Sequence, residues 1–417
     1  MFYGWILLGA LSFIYFLSIG SIFYGFSVVI PQIIENTGWT RAEVGAGFSI
    51  VTLTLGLSGP VVAVLLRRFG ARGTMTLGGG VIAGGCALVY TGQSLLPFYL
   101  GLGVVGAGMA MQTVLPGTHL LAHWFERRRA LAIGVFMASA GLGAFVAAPI
   151  FAAISESTGS WRIVMPIMGG SALLSSVLAF FVVRETPAAI GEVADGRAAQ
   201  AANAGAARKP TRVHQTTDTW TVGEALRTRA FWLIVLGAAL AVVGTTIVNS
   251  QSVLHMEDLG LSRVLAASAL GITGLLSTLG RLFSGGMGDR VDPKFLLGCG
   301  LALELMSVVI LQFAGTAVIA YTFAVLFGLG YGLASVASPA LIANYFGSGS
   351  YAPLFATRGV LVTVLGAAGP ILAGLVYDAS GSYSLVFYAY AALSAVGVFL
   401  VLSIRPPLKA HATTPSV

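Results

Sequence analysis

The chain has 417 residues, of which 57% are hydrophobic and only 9% are charged. A soluble domain carries about 25% charged residues, so this composition excludes a soluble protein and indicates a polytopic membrane protein. The 55 glycines agree with that class, because glycine is more frequent in membrane helices than in soluble ones. A net charge of +7 would also suit a nucleic-acid partner, but its distribution argues against one.

Twelve mostly apolar runs follow one another along the chain, each about long enough to cross a bilayer as a helix. They lie at approximately 4–30, 43–66, 73–94, 97–122, 130–154, 162–183, 230–255, 264–288, 295–314, 317–344, 351–377 and 384–404. We therefore predict an all-α integral membrane protein with twelve transmembrane helices. The first run begins almost at Met1 with no basic segment before it, so we expect no cleavable signal peptide.

A long polar stretch separates the sixth run from the seventh. Its middle is rich in alanine and charged residues and predicts a linker without a core. Near its end Thr221 precedes Glu224 by three residues, the spacing of a capping box, which predicts a short amphipathic helix on the membrane surface. The predicted organisation is a six-helix bundle at 1–183, a cytoplasmic linker at 184–229, a six-helix bundle at 230–404 and a cytoplasmic tail at 405–417.

The basic residues are distributed asymmetrically. With both termini in the cytoplasm, 17 of the 22 Lys and Arg residues fall in cytoplasmic segments, which satisfies the positive-inside rule. Arg41, Arg162 and Arg263 fall on the outer side, and Arg281 and Arg358 fall within spans. We expect a multi-pass protein of the plasma membrane, a bacterial inner membrane, with cytoplasmic termini and no nucleic-acid partner.

Similar segments recur in the two parts of the chain at a nearly constant spacing. The segments RRFGAR and DRVDPK begin 222 residues apart, at Arg67 and Asp289. Three further pairs, at 124–125 and 345–346, 148–152 and 369–373, and 157–161 and 379–383, are offset by 221 or 222 residues. This pattern predicts two pseudo-symmetric bundles inserted in the same orientation, with a binding site at their interface near mid-membrane.

This organisation resembles the major facilitator superfamily. Its members carry a Gly-x-x-x-Asp-Arg-x-Gly-Arg-like motif between spans two and three, where this chain reads LLRRFGARG, with Arg67 in place of the usual aspartate. The second half keeps the acidic version as GGMGDRVD. The resemblance implies a role in gating for loop residues, namely Arg68, Arg127, Arg128, Asp289 and Arg290.

A narrower resemblance rests on WFERRRALAIG at 124–134. It is similar to the signature Tyr-Phe-x-(Lys/Arg)-Arg-Arg-x-Leu-Ala-x-Gly of the monocarboxylate transporters and their bacterial relatives, which include oxalate/formate exchangers. The resemblance implies a secondary active transporter of small monocarboxylates such as lactate or pyruvate, operating by alternating access as a proton symporter. An organic anion antiporter of oxalate/formate type is the alternative, and a non-transporting anion sensor is a third hypothesis.

Arg281 is the first candidate for the substrate site. It lies eight residues before Asp289, about 12 Å along a helix, and therefore near the middle of a hydrocarbon core about 30 Å thick. A charge at that depth is costly and indicates function. In the resembling family this arginine anchors the substrate carboxylate, for which a guanidinium offers a bidentate fork. The alternative is a buried ion pair between helices.

Further polar residues within the spans are expected to complete the site. Arg358 either reaches the cytoplasmic headgroups or lines the cavity, where two cations would suit a dianion. The remaining substrate-site candidates are neutral or weakly basic, namely Tyr24, Ser27, Gln112, His119, Asn249 and Tyr331. The expected partners are a small carboxylate, protons and the lipid bilayer, and we expect a monomer.

The residue that carries the proton is left open. Glu257 and Asp258, at the outer end of span seven, and His119, since histidine titrates near neutral pH, are the candidates. The best-known family members have a lysine where this chain has Phe26 and an aspartate where it has Ser277. Coupling therefore uses other groups or is absent.

Two further expectations concern groups away from the site. Glu304 lies deep in the ninth run, and we expect it to form a structural salt bridge. The sequence has no nucleophile motif, phosphate loop or metal-ligand spacing, so we expect neither an enzyme nor a cofactor or metal.

Overall fold

A computed structural model describes residues 2–125, 128–194, 214, 216, 220–287, 290–347, 350–407 and 409. These residues are helical apart from short connections, which confirms the predicted all-α class. Within the described ranges, eleven helices are long and apolar enough to cross a membrane. Arg127 and Asp289, two of the residues implied in gating, lie outside the described residues, as do half of the predicted linker and most of the predicted tail.

The helices are numbered in chain order. The first half contains α1 (Tyr3–Thr37), α2 (Arg41–Leu57), α3 (Gly59–Thr91), α4 (Leu95–Trp124), α5 (Arg129–Thr158) and α6 (Val164–Val182). A short helix, α7 (Val222–Leu226), has the predicted capping box between Thr221 and Glu224. The second half contains α8 (Arg229–Asp258), α9 (Arg263–Met287), α10 (Pro293–Leu311), α11 (Ala317–Phe346), α12 (Tyr351–Ser380) and α13 (Ser384–Leu402).

The difference between eleven such helices and the predicted twelve spans lies in α2 and α3. Helix α2 has 17 residues, fewer than the roughly 20 that cross a bilayer. The helical hydrogen bonds nevertheless continue through Ser58, whose N–H donates to Thr54 and whose carbonyl accepts from Val62. Gly70 then breaks α3 with φ 71° and ψ 177°, a conformation that favours glycine. The break lies at the predicted loop between spans two and three.

Helices α5 and α12 show the sequence repeat most directly. They begin 222 residues apart, and each contains a proline and ends at a left-handed glycine, Gly159 and Gly381. The next aromatic residue in each half, Trp161 or Tyr383, is almost fully buried. The repeated segments therefore adopt the same local structure in both halves.

The bundle has two faces. The linker face holds the beginning of α1, where the Tyr3 amide donates to Glu192, and the end of the last helix, where Lys294 Nζ donates to the Ile404 carbonyl. The opposite face holds the turns at 38–40, 92–94, 159–160, 259–262, 312–316 and 381–383.

The two halves meet along two seams, α2 against α12 and α5 against α9. Glycines allow the backbones to touch at both seams. A methyl group on Gly374 of α12 would clash with the backbone of Ala42 in α2, and one on Gly141 of α5 would clash with the carbonyl of Gly274 in α9. Small residues at such contacts are typical of packed membrane helices.

Candidate functional site

Two adjoining cavities lie between the halves. The chamber has a volume of about 200 Å³ and reaches the middle of the bundle, and the vestibule has about 820 Å³ and extends from it toward the linker face. They share four lining residues, Tyr15, Val242, Arg281 and Tyr331. Arg281 and Tyr331 therefore stand where the chamber opens into the vestibule.

The wall formed by α1 depends on a π-helical segment, Ser18–Tyr24, inside that helix. Tyr15 and Tyr24 are nine residues apart, about two and a half turns of a regular α-helix, so they would point to opposite sides. A π-helix has i→i+5 hydrogen bonds and holds more residues per turn, which changes that angle. Both tyrosines line the chamber in consequence.

Arg281 projects from α9 across the interface of the halves. Its Nη1 donates to the Met137 carbonyl of α5 at 3.3 Å, and its guanidinium carbon lies 5.6 Å from the centre of the Tyr331 ring. No carboxylate of the described residues lies within ion-pair distance of it. The alternative of a buried ion pair therefore has no support among these residues, and most of the guanidinium N–H groups are free to bind a ligand.

Arg358 lies in the wall of the vestibule. Its Nε donates to the Ser338 hydroxyl at 2.8 Å, and its guanidinium carbon lies 5.5 Å from the centre of the Phe355 ring. The sequence left open whether Arg358 reaches the cytoplasmic headgroups or lines the cavity, and in the structure it lines the cavity. The described residues that line either cavity include no Asp, Glu, Lys or His. Arg281 and Arg358 therefore supply all of the formal charge of this lining.

Asn249 contributes an unused donor to the chamber. It is 2% exposed, and its Nδ2 is buried without a hydrogen-bond partner among the described residues. Its side chain also lies beside the hydroxyl of Tyr24. A buried donor without a partner is costly, so this arrangement favours a ligand that brings an acceptor oxygen to the chamber.

Three predicted site residues are not among the described residues that line the two cavities. The Ser27 hydroxyl donates to the Phe23 carbonyl within α1. Gln112 is buried inside the first half, where its amide donates to the Met75 carbonyl. His119 is exposed, and the centre of its ring lies 4.5 Å from that of His123. Thr113, with φ −106° and ψ −122°, breaks α4 between these last two, so a single helical face cannot include both.

The two acidic candidates for proton coupling are paired at the opposite face. Asp258 accepts two hydrogen bonds from Arg41, each 2.7 Å long. Glu257 accepts from Arg263 Nε, also at 2.7 Å. Neither residue lines the chamber or the vestibule. Their predicted role in proton coupling therefore requires action at a distance from the substrate cavity.

Other predictions concern residues outside the cavities. Arg68 and Arg290 are exposed on the linker face, and the Arg128 guanidinium lies 5.7 Å from the Trp5 ring. Glu304 does not form the expected salt bridge with any described residue. It accepts a hydrogen bond from Tyr390 at 2.7 Å instead, because the apolar interior of the second half offers it a hydroxyl and no cation.

Sequence reasoning missed several residues that line the chamber. They are small or aromatic residues of α1, α2 and α8, namely Tyr15, Phe23, Thr52, Thr245 and Thr246. Threonines are common in membrane helices, where their hydroxyls bond to the preceding turn, as Thr52 does to Phe48. The residue type alone therefore does not distinguish a threonine that lines the chamber from one that only packs between helices.

Two halves of membrane-spanning helices around a cavity that reaches from mid-bundle toward one face define a membrane transporter. The chain belongs to the major facilitator superfamily, whose family model matches residues 11–290 and 234–416. This confirms the predicted fold, and the chain is a multi-pass membrane transporter and not an enzyme.

The relatives found by sequence comparison support the narrower resemblance, to the monocarboxylate transporters. Monocarboxylate transporter 13 of Bos taurus is 27% identical over 356 residues, which cover 82% of this chain and 76% of the relative. Monocarboxylate transporter 3 of Rattus norvegicus is 28% identical over 424 residues, which cover 96% and 80% of the two chains. The predicted likeness to monocarboxylate transporters is confirmed.

Solved structures show the same fold. A bacterial homolog to the human lysosomal transporter Spinster superimposes with a TM-score of 0.68 at 18% identity, covering 96% of this chain and 94% of that one. The nucleoside transporter NupG superimposes with a TM-score of 0.72 at 12% identity, covering 95% and 98%. The fold is thus shared among proteins of very different sequence.

Proposed function

We propose that this protein transports small monocarboxylates of the lactate or pyruvate type, with the substrate carboxylate bound at Arg281. The observation that carries the proposal is a cavity whose described lining includes two arginines and no acidic residue. An ionised carboxylate is attracted to such a cavity and finds a guanidinium that no protein carboxylate already occupies. A cationic substrate would be repelled there.

The chamber offers groups for both ends of such an acid. Arg281 would bind the carboxylate, with the ring of Tyr331 packed beside the guanidinium. Asn249 Nδ2 and the Tyr24 hydroxyl lie in the same chamber, where a 2-hydroxyl or 2-oxo oxygen would meet an unused donor. A hydroxy or oxo acid therefore satisfies more of the buried polar groups than a simple acid does.

The position of the cavities supports the proposal of alternating access. The vestibule extends to the linker face, which the positive-inside rule assigns to the cytoplasm together with both chain termini. The proposed sequence of events is that the halves, 1–183 and 230–404, rock about the seams and expose Arg281 first to one side and then to the other. The location proposed for this monomer is a bacterial inner membrane.

Coupling to protons is proposed through Glu257 and Asp258, the acidic residues at the end of α8 on the opposite face. The second candidate is anion exchange of the oxalate/formate type. Two observations favour exchange, because the described cavity lining has no group that titrates near neutral pH and because Arg358 supplies a second positive charge. A dianion, or two monoanions in turn, would use both arginines.

Uptake into proteoliposomes tests the function. Labelled lactate, pyruvate, acetate, formate and oxalate are offered with and without an inward proton gradient, and with and without internal unlabelled anion. Symport predicts that the proton gradient drives accumulation of a monocarboxylate, whereas exchange predicts stimulation by internal anion alone. If no carboxylate is taken up or competes, while a neutral or cationic compound is transported, the proposal is wrong.

A further inference from the structure

The opposite face is closed by charged groups that join the two halves. Arg41 is the first residue of α2 in the first half, and Asp258 is the last residue of α8 in the second half. Nη1 and Nη2 of the arginine each donate to one carboxylate oxygen at 2.7 Å. This is the bidentate geometry in which a guanidinium and a carboxylate bind most strongly.

A second carboxylate of the second half binds backbone amides at the same end of α2. Asp378, in α12, accepts from the Arg41 amide at 3.2 Å and from the Ala42 amide at 3.0 Å. These amides belong to the first turn of α2, where N–H groups lack helical partners and the helix dipole favours an anion. Thus one helix terminus of the first half is bound by two acids of the second half.

The surroundings of Arg41 keep this contact partly shielded from water. Its side chain is 15% exposed, and its guanidinium lies 3.7 Å from the centre of the Tyr377 ring. In a second link between the halves, from Arg263 to Glu35 at 2.8 Å, the carboxylate side chain is 60% exposed, against 35% for that of Asp258. Exposed ion pairs contribute little, so the Arg41 contact is the stronger of the two.

Tyr383 joins this contact to the helix that carries the chamber. Its hydroxyl accepts from Arg41 Nη1 at 3.1 Å and donates to Gln251 Oε1 at 2.7 Å. Burial raises the pKa of the Tyr383 phenol, so the hydroxyl keeps the proton that it donates. Gln251 lies two residues beyond Asn249 in α8, so Arg41 is connected through side chains to a wall of the substrate cavity.

We propose that Arg41, Asp258 and Asp378 form an ionic latch that closes the opposite face, and that the latch must break before the chamber can open there. The latch sets the balance between the two access states. The latch joins the halves at the end of the molecule away from the vestibule. Substrate can therefore enter from the linker face while the latch stays closed. This inference rests on transport by two moving halves and not on the identity of the substrate.

Spin-label distances measured by double electron–electron resonance test the latch without a substrate. Labels are placed at Gln93→Cys and Thr316→Cys, in exposed turns of the two halves on the opposite face, after Cys86→Ser and Cys299→Ser. Asp258→Asn, which preserves shape, should raise the population of longer distances at least about threefold, since a neutral amide forfeits the charge-assisted pair.

Glu43→Gln is the matched control, because among the described residues the Glu43 side chain accepts a hydrogen bond only from the amide of Thr40, in its own half. It should leave the distances unchanged. Arg41→Gln combined with Asp258→Asn should shift the population no further than either alone, since the two side chains share one contact. The proposal is overturned if folded Asp258→Asn shows the parent distance distribution, or if Glu43→Gln shifts it equally. Should Arg41→Gln fail to fold, Asp258→Asn decides alone.

Discussion

Arg41 and Arg281 are both partly buried arginines at the interface of the two halves, but their hydrogen-bond partners differ. Arg41 is held by a carboxylate through two bonds, by a tyrosine hydroxyl and by the face of an aromatic ring. Among the described residues, Arg281 has as partners one backbone carbonyl, at 3.3 Å, and one aromatic ring.

The difference is consistent with one residue type serving two tasks in a single transporter, a contact at Arg41 and the proposed substrate site at Arg281. A partly desolvated guanidinium is stable only when its charge is balanced. At Arg41 the balancing anion belongs to the protein, and the contact therefore joins the halves. At Arg281 the described residues supply no anion, and under the proposed function the substrate carboxylate balances the charge. The unpaired arginine is therefore the proposed binding site, and the paired one is a contact between the halves.

Removal of the unpaired charge should have the largest effect. Arg281→Gln takes away two charge-assisted hydrogen bonds to the proposed carboxylate, together about 3 kcal/mol or more, so transport should fall about 100-fold. Initial uptake rates in proteoliposomes measure this loss. Arg405→Gln, which removes an exposed arginine near the end of the chain, is the control and should transport normally. Near-parent uptake by Arg281→Gln would refute the anchor.

Giving Arg281 a protein partner should make it resemble Arg41. Ser277 lies one helical turn before Arg281 and lines the chamber, so Ser277→Asp supplies a carboxylate at i,i+4 spacing. We expect about tenfold weaker apparent substrate affinity at neutral pH, about 1.4 kcal/mol. The loss should diminish as pH falls, because the protonated aspartic acid no longer competes for the guanidinium.

Ser277→Asn is the control for this experiment, since it has similar size without a charge. Its substrate affinity should show no additional pH dependence relative to the parent. Equal pH profiles for Ser277→Asp and Ser277→Asn would contradict the idea that Arg281 lacks a carboxylate partner.

The second cavity arginine should matter less than the first. Arg358→Gln removes a charge from the vestibule and not from the chamber, so we expect about threefold to tenfold higher KM for uptake, an effect that salt should reduce. Measurements of KM at low and high ionic strength test this. Ser338→Ala, which keeps the charge but removes the partner of Arg358, should have a smaller effect. A larger loss for oxalate than for lactate would favour exchange.

The smallest effect should come from the unused amide of the chamber. Asn249→Leu removes a neutral donor, for which about 0.5–1.5 kcal/mol is typical, so lactate uptake should fall about threefold to fivefold. Acetate has no second oxygen-bearing carbon and serves as the internal control in the same vesicles. If the mutation weakens lactate and acetate equally, Asn249 does not contact the substrate's second oxygen.

Much of the fold follows from the sequence because membrane helices are defined by length and hydropathy. The same rules locate Arg281, since an isolated charge in an apolar run has few positions open to it. Tyr24, Asn249, Tyr331 and Arg358 also line the cavities, as their depth in the spans suggests. The depth of a residue in the membrane depends on its distance along the chain from the end of its span, so it can be counted in the sequence.

The direction in which a side chain points is a different matter. Ser27, Gln112 and His119 lie at suitable depths but face other surroundings, because the break at Thr113 and the π-helical segment of α1 change the angles between residues. The ion-pair partners of Glu257 and Asp258 could not be predicted from the sequence either. Arg41 lies 217 residues from Asp258 in the sequence and meets it only when the halves assemble.

The glycine contacts of the two seams have a consequence for energy conservation. Where Gly141 meets Gly274 and Gly374 meets Ala42, backbone touches backbone, and no space is left for a row of water molecules. A cavity that penetrates to mid-bundle would otherwise form part of a conducting path, along which each ion would dissipate about 2.3 kcal/mol per 100 mV. Tight seams therefore leave little room for water between the halves of this transporter, and we expect that the enlargement of a single glycine would open a path for leakage.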